Sequence, residues 1–166
     1  MRDKKVLFLV NAAMIAAVYV VLTLIFASFS YGEIQVRISE ALTILPYFTP
    51  AAVPGLFVGC LIANIMGGAI LPDIIFGSLA TLAGAVGSYL LRKTKYLVPV
   101  PPIIANVLVV PFVLRYGYGV ESAIPLMMAT VGIGEIISCG IIGMLLLFVL
   151  DRHKGVIFRE QIRQYR

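Results

Sequence analysis

Glu135 stands alone as a charge in an otherwise uncharged run from Ile124 to Leu150. A charged side chain near a bilayer centre costs roughly 2.5 to 3.5 kcal/mol even on lenient insertion scales, so something must offset it. A solute that hydrogen-bonds the carboxylate would do so; a protonated carboxyl bonded within a bundle is the other option. Counting back from Asp151 at 1.5 Å per residue puts Glu135 about 24 Å from that end of its helix, in the outer half of a membrane. Asn106 and Asn64 reach mid-membrane by the same count, and an amide offers both a donor and an acceptor to a ligand edge. Either could equally glue two helices together. Arg37 and Glu40 are three apart and would pair with each other on a helix. Read functionally, Arg37 and Gln35 belong to an outer loop that caps a solute, with Glu40 facing inward beneath it. Tyr31, Tyr116 and Tyr118 sit at outer helix ends, where they could stack on a ligand or simply anchor the interface.

No enzyme chemistry accompanies these residues. The one histidine is His153, and the sequence has no HExxH, CxxC, GxSxG or Walker A pattern, so neither a metal centre nor an ATPase can be argued, and no cofactor is expected. Cys60 and Cys139 lie in apolar runs and read as buried free thiols.

The elements that must position these groups are membrane helices. Hydrophobic residues make up 61% of the chain and charged ones 13%, about half the charge of a soluble domain. Uncharged runs cover 6–32, 41–72, 74–91 and 96–114, each near or above the roughly 20 residues that cross a hydrocarbon core. The expectation is an all-α integral membrane bundle, one domain over 1–166, with six helices near 6–29, 39–50, 52–68, 73–92, 96–115 and 122–151. Ser39-Glu40 opens a short second helix, and Thr49-Pro50 with Val53-Pro54-Gly55 reads as a tight inner turn. Pro72 and Asp73 suit a helix start, and Gly77, Thr81, Gly84 and Ser88 form a small-residue stripe for close helix approach. Pro99, Pro101, Pro102 and Pro111 suggest a kinked or broken fifth helix lining a cavity.

The net charge of +5 is a topology signal rather than a mark of nucleic-acid binding. Eleven of the thirteen basic residues fall in 2–5, 92–95 and 152–166, as cytoplasmic segments should under the positive-inside rule. Both termini are therefore expected in the cytoplasm, in a multi-pass protein of the cell membrane. The basic tail 152–166 would be an amphipathic surface helix or a solvated end. Ala12 and Ala16, and Ala13 and Ala17, are each four apart, a flat face for another helix inside or outside the bundle.

The run 32–46 (GEIQVRISEALTILP), with Pro54-Gly55-Leu56-Phe57-Val58-Gly59-Cys60 and the segment 73–82 (DIIFGSLATL), resembles the QueT-type queuosine-precursor transporters. These are substrate-binding S components of energy-coupling factor (ECF) importers for vitamin-like solutes, and the resemblance extends over nearly the whole chain. It implies a six-helix bundle that binds its solute from outside. It also implies docking through Ala12, Ala13, Ala16 and Ala17 onto a transmembrane coupling protein, EcfT, with two cytoplasmic ATPases, EcfA and EcfA′, driving release. The implied solute is a 7-deazaguanine base such as preQ1, preQ0 or queuine. Its N1-H and exocyclic amine are adjacent donors for a carboxylate, and its carbonyl wants an amide donor, roles that suit Glu135 and Asn106. A cationic aminomethyl substituent would have Glu40 as the nearest acid. The competing readings are an ion-coupled carrier of a small cationic solute, with Glu135 as proton relay, and an S component for another vitamin-like solute.

Overall fold

A computed structural model describes residues 2–26 and 36–157 as an all-helical bundle. Helix α1 runs Arg2–Ile25, and a 3-10 helix follows over Ile38–Tyr47. Helix α2 is Ala52–Met66. Helix α3, Asp73–Leu90, opens with a π-helical turn at Asp73–Gly77 before becoming α-helical at Ser78. Helix α4 is Val100–Tyr116. Helix α5 is continuous from Ile124, with a π-helical stretch at Ile136–Gly143 between α-helical Ile124–Glu135 and Met144–Ile157.

Four of these six helices are long and apolar enough to cross a membrane: α1, α3, α4 with its preceding turn from Lys95, and α5. The other two are shorter. Large apolar side chains such as Leu9, Met14, Leu108 and Ile141 are exposed along the outside, which is tolerable only where lipid replaces water. This is a multi-pass membrane protein.

The short second helix expected at 39–50 is the centre of the bundle. Every residue from Ser39 to Pro46 is buried, and the element packs against α1, α2, α3 and α5. A run of ten residues is long for a 3-10 helix, which rises about 2.0 Å per residue and so spans about 20 Å here. It therefore carries Glu40 deep among the long helices on a thin rod. The inner turn is tighter than expected: the chain reverses between Phe48 and Ala51, and Pro54 sits within the first turn of α2, where its missing N–H costs nothing.

Small residues bring the helices together. A Cβ on Gly55 would lie 2.7 Å from the Ala12 carbonyl oxygen, and one on Gly59 would lie 3.0 Å from Ala16 Cα. So Ala12 and Ala16 are internal packing residues against α2, whereas Ala13 and Ala17 face outward. The stripe on α3 behaves as its spacing predicts. A Cβ on Gly84 would meet Pro102 Cα at 2.6 Å, and Ser88 Oγ donates to the Val98 carbonyl at 2.6 Å. The prolines do not break α4. Pro99 is its N-cap and Pro101 and Pro102 lie in its first turn, positions with no intrahelical bond to lose, and Pro111 lies inside an unbroken helix.

At one end, Lys95 and Lys154 both bond the Asp151 carboxylate, the latter at 2.9 Å, tying the α3–α4 connection to α5. We call this the basic end. The polar residues in the body of the bundle lie beyond it.

Candidate functional site

Two buried polar clusters share the interior. The first is built on two carboxylates from different elements. Glu40 comes from the 3-10 helix and is 0% exposed; Glu135 comes from α5 and is 3% exposed. Asn106 Nδ2, on α4, donates to Glu135 Oε1 at 3.0 Å. Cys139, one turn on from Glu135, donates its thiol to Glu135 Oε2 at 3.2 Å and lies 3.3 Å from the Glu40 carbonyl. Glu40 Oε1 accepts from the Tyr19 hydroxyl on α1 and from Thr81 Oγ1 on α3 at 3.2 Å. Glu40 Oε2 has no partner.

Local geometry aims these groups. The α-helix of α5 gives way to π-helix immediately after Glu135. Such bulges re-aim side chains and recur at functional sites. In the 3-10 helix Thr43 Oγ1 donates to the Glu40 carbonyl at 2.6 Å, fixing the backbone from which the carboxylate projects. One ligand atom each from Glu40, Glu135 and Cys139 can be chosen so that all three lie within 4.8 Å. Two unit charges at that separation repel by about 3 kcal/mol at an effective dielectric of about 20. The pair is therefore costly unless a proton or a cation joins it.

The second cluster is balanced. Arg37 is 7% exposed, and its guanidinium Nη2 lies 3.7 Å from Asp73 Oδ2. The Tyr118 hydroxyl donates to the same oxygen at 2.9 Å and receives the Ile70 amide at 3.4 Å. Burial and the neighbouring Asp73 carboxylate push the Tyr118 phenol up, keeping it a donor. Asn64 Nδ2 reaches the Asp73 carbonyl at 3.4 Å and Cys60 Sγ at 3.7 Å. The α4–α5 loop, the start of α3, the end of α2 and the entrance to the 3-10 helix thus meet at one point.

Glu135, Asn106 and Glu40 converge as their residue types suggest. Arg37 does not pair with Glu40, because it sits at the N-cap in an extended conformation (φ −87°, ψ 97°) that turns its side chain towards Asp73. Asn64 acts as a tie between α2 and α3. Tyr116 is brought to neither cluster: it is 78% exposed, its ring stacked on Phe112 at 6.5 Å. Gln35 and Tyr31 lie outside the described residues, as does most of the basic tail. Tyr19, Thr81, Asp73 and Cys139 join the clusters although their types do not single them out. For Tyr19 a signal existed, since Ala16, Tyr19 and Thr23 recur at helical spacing and form the buried stripe of α1.

A family model described as QueT transporter matches residues 9–152. The chain belongs to the QueT transporter family. Both clusters of this QueT-family chain lie within the matched region. It is also similar to the queuosine precursor transporter QueT of Lactococcus lactis subsp. cremoris (strain MG1363), 36% identical over 84 residues. That alignment spans 49% of this chain and 49% of the relative, so about half of the relative's length is matched. No solved structure matches.

Proposed function

We propose that this protein is the solute-binding S component of an energy-coupling factor importer and that its solute is a queuosine precursor, a 7-deazaguanine base such as preQ1, preQ0 or queuine. The observation that carries the reading is the Glu135–Asn106 contact at 3.0 Å, buried among helices α4 and α5. A carboxylate with a free lone pair on each oxygen accepts the paired N1-H and amine donors of a guanine edge, and the amide beside it serves the ring carbonyl. The Lactococcus relative's name supports the same solute class. In this reading all six helices cross the cell membrane, the 3-10 helix included, and both termini lie with the basic end in the cytoplasm. The clusters then open outward.

The outer face of α1 supports the partners that this reading requires. Ala13 and Ala17 are exposed there, leaving a shallow face on which a coupling protein, EcfT, can seat closely, with two ATPases, EcfA and EcfA′, supplying energy from the cytoplasm. Binding is tested by calorimetry on the purified protein with a panel of bases. Saturable binding of deazaguanines and not of adenine or cytosine is expected; binding to none of the deazaguanines overturns the reading.

The two neighbouring buried acids also favour a second reading, an ion-coupled carrier in which Glu135 relays a proton. Uptake by the chain alone in liposomes under a proton gradient would establish it. Uptake only with coupling protein, ATPases and ATP would refute it.

A further inference from the structure

Five buried side-chain atoms among the described residues lack a hydrogen bond: Glu40 Oε2, Ser138 Oγ, Arg37 Nε, Asp73 Oδ1 and Ser78 Oγ. Buried polar atoms are nearly always paired, so each of these needs a cause. Glu40 is one of the paired acids, and Ser138 directly precedes Cys139 on α5. The other three lie at the entrance to the 3-10 helix and at the start of α3.

Arg37 and Asp73 oppose each other without closing. Nη2 stands 3.7 Å from Oδ2, too far for a hydrogen bond, and Tyr118 already donates to Oδ2 at 2.9 Å. Nε and Oδ1, each two bonds from the facing atom, remain as an open donor and an open acceptor. A polar gap of this width calls for a bridging group. Gly77, itself buried, keeps Oδ1 uncovered. A Cβ there would lie 2.8 Å from Asp73 Oδ1 and 3.4 Å from Asn64 Nδ2.

Two elements carry this gap one turn beyond Glu40. Residues three apart align in a 3-10 helix, so Arg37 stands about 6 Å further from the basic end than Glu40. Helix α3 runs from Asp73 towards that end, and Asp73, Gly77 and Thr81 follow at four-residue spacing along one face. Thr81 bonds Glu40, and Ser78, three residues before it, shares the face. The contacts of Asn64 with Cys60 at 3.7 Å and of Cys60 with Thr81 at 3.4 Å run between the two levels.

We propose that Arg37 Nε, Asp73 Oδ1 and Ser78 Oγ form an outer subsite for a neutral, hydroxyl-bearing substituent of the solute, a vicinal diol, set one turn beyond the paired acids. This rests on the deazaguanine reading above and adds a second contact region to it. The chemistry selects the class. A cation would meet Arg37 and an anion would meet Asp73, so the subsite favours neither. One hydroxyl accepts from Nε and donates to Oδ1, and its neighbour serves Ser78 in either role. Of the three bases named above, a 7-cyano group only accepts and a protonated aminomethyl group only donates. Queuine carries a cyclopentenediol on its aminomethyl nitrogen and so extends both roles beyond the ring. Nη2, Oδ2 and Tyr118 keep their structural tie.

The test is calorimetry on the intact purified protein with three bases: queuine, its counterpart with a plain cyclopentenyl ring, and 7-aminomethyl-7-deazaguanine. The first two match in charge and ring size and differ only in their hydroxyls. Queuine is expected to bind at least about tenfold tighter than the hydroxyl-free counterpart, which leaves buried polar groups unpaired. Arg37→Lys keeps a charge facing Asp73 but puts a methylene where Nε stands. It should bring that ratio below about threefold and leave affinity for the aminomethyl base within about twofold. Equal affinity for the two ring-bearing bases overturns the inference, the gap then holding water alone, and leaves the deazaguanine reading standing. Binding of the aminomethyl base with exclusion of both ring-bearing ones overturns it as well. Binding of none of the three overturns that reading and the inference with it. A ratio that survives Arg37→Lys overturns the assignment to this pair. Should the variant fail to fold, the comparison of queuine with its hydroxyl-free counterpart on the natural protein decides alone.

Discussion

The two buried clusters use the same kinds of side chain to opposite ends. Around Asp73 the charges are matched in sign: Arg37 stands against the carboxylate and Tyr118 bonds it at 2.9 Å, so four segments are pinned, although Asp73 Oδ1 and Arg37 Nε stay without a hydrogen bond. Around Glu40 and Glu135 two acids come together with neutral donors alone, and one oxygen stays open. A balanced buried pair holds structure, and its loss is felt as instability. On the proposed function the unbalanced pair contacts the solute, and its loss is felt in binding.

Substitutions that exchange these outcomes would break the comparison. The largest effect on stability is expected from Asp73→Ala. It strands the Arg37 guanidinium in a site where that residue is 7% exposed, and breaking one side of a buried pair costs about 3 kcal/mol or more. Thermal unfolding in detergent should register this as a lower midpoint; a loss under about 1 kcal/mol would mean the pair is ornamental. Glu135→Gln should do the reverse. It removes one of two repelling acids, so the protein should be as stable as before or more so. Ligand affinity should fall at least about tenfold, or roughly 1.4 kcal/mol. Unchanged affinity would take Glu135 out of the site. Tyr118→Phe is a smaller change in the balanced cluster: it deletes the hydrogen bond to Asp73 and the longer one from the Ile70 amide and should cost about 1 kcal/mol of stability, with base affinity within about twofold. A tenfold affinity loss would merge the two clusters into one site.

The cluster of paired acids was the more legible of the two in the sequence, for a physical reason. Glu135 and Asn106 stand out because a charge or an amide inside an apolar run has no place unless something receives it. Asp73 did not stand out, since an acid one residue after a proline is ordinary at a helix start. Its pairing with Arg37 crosses 36 positions and depends on the extended backbone at Arg37, which spacing cannot reveal. The 3-10 geometry of Ile38–Tyr47 was hidden for a similar reason: the same buried apolar residues suit an α-helix, and the tighter winding is set by packing on four neighbours. The prolines of α4 suggest a kinked or partly broken helix, but no break follows, because their effect depends on register. In the first turn they replace amides that had no partner anyway. The alanines of α1 were legible as small faces, but which of the two pairs turns inward is decided by Gly55 and Gly59.

That last division supplies the control on which both clusters should be silent. Ala13 and Ala17 are exposed on α1, about a third of a turn round from the Tyr19 and Thr23 stripe that bonds Glu40 and Ser39. Replacing both by leucine adds volume only on the outer face, so the isolated protein should keep its thermal midpoint and its base affinity within about twofold. Transport is another matter. Helices associate in a membrane through close packing of small residues rather than through hydrophobic burial, and two leucines would hold a partner helix off. Under the proposed S-component function, uptake reconstituted in liposomes with a coupling protein and ATPases, and co-purification with that coupling protein, should therefore fall together. Normal uptake by the double variant would remove α1 from the docking surface. A loss of ligand binding by the isolated protein would instead show that this face supports the interior, and that changes in binding cannot be credited to the two clusters alone.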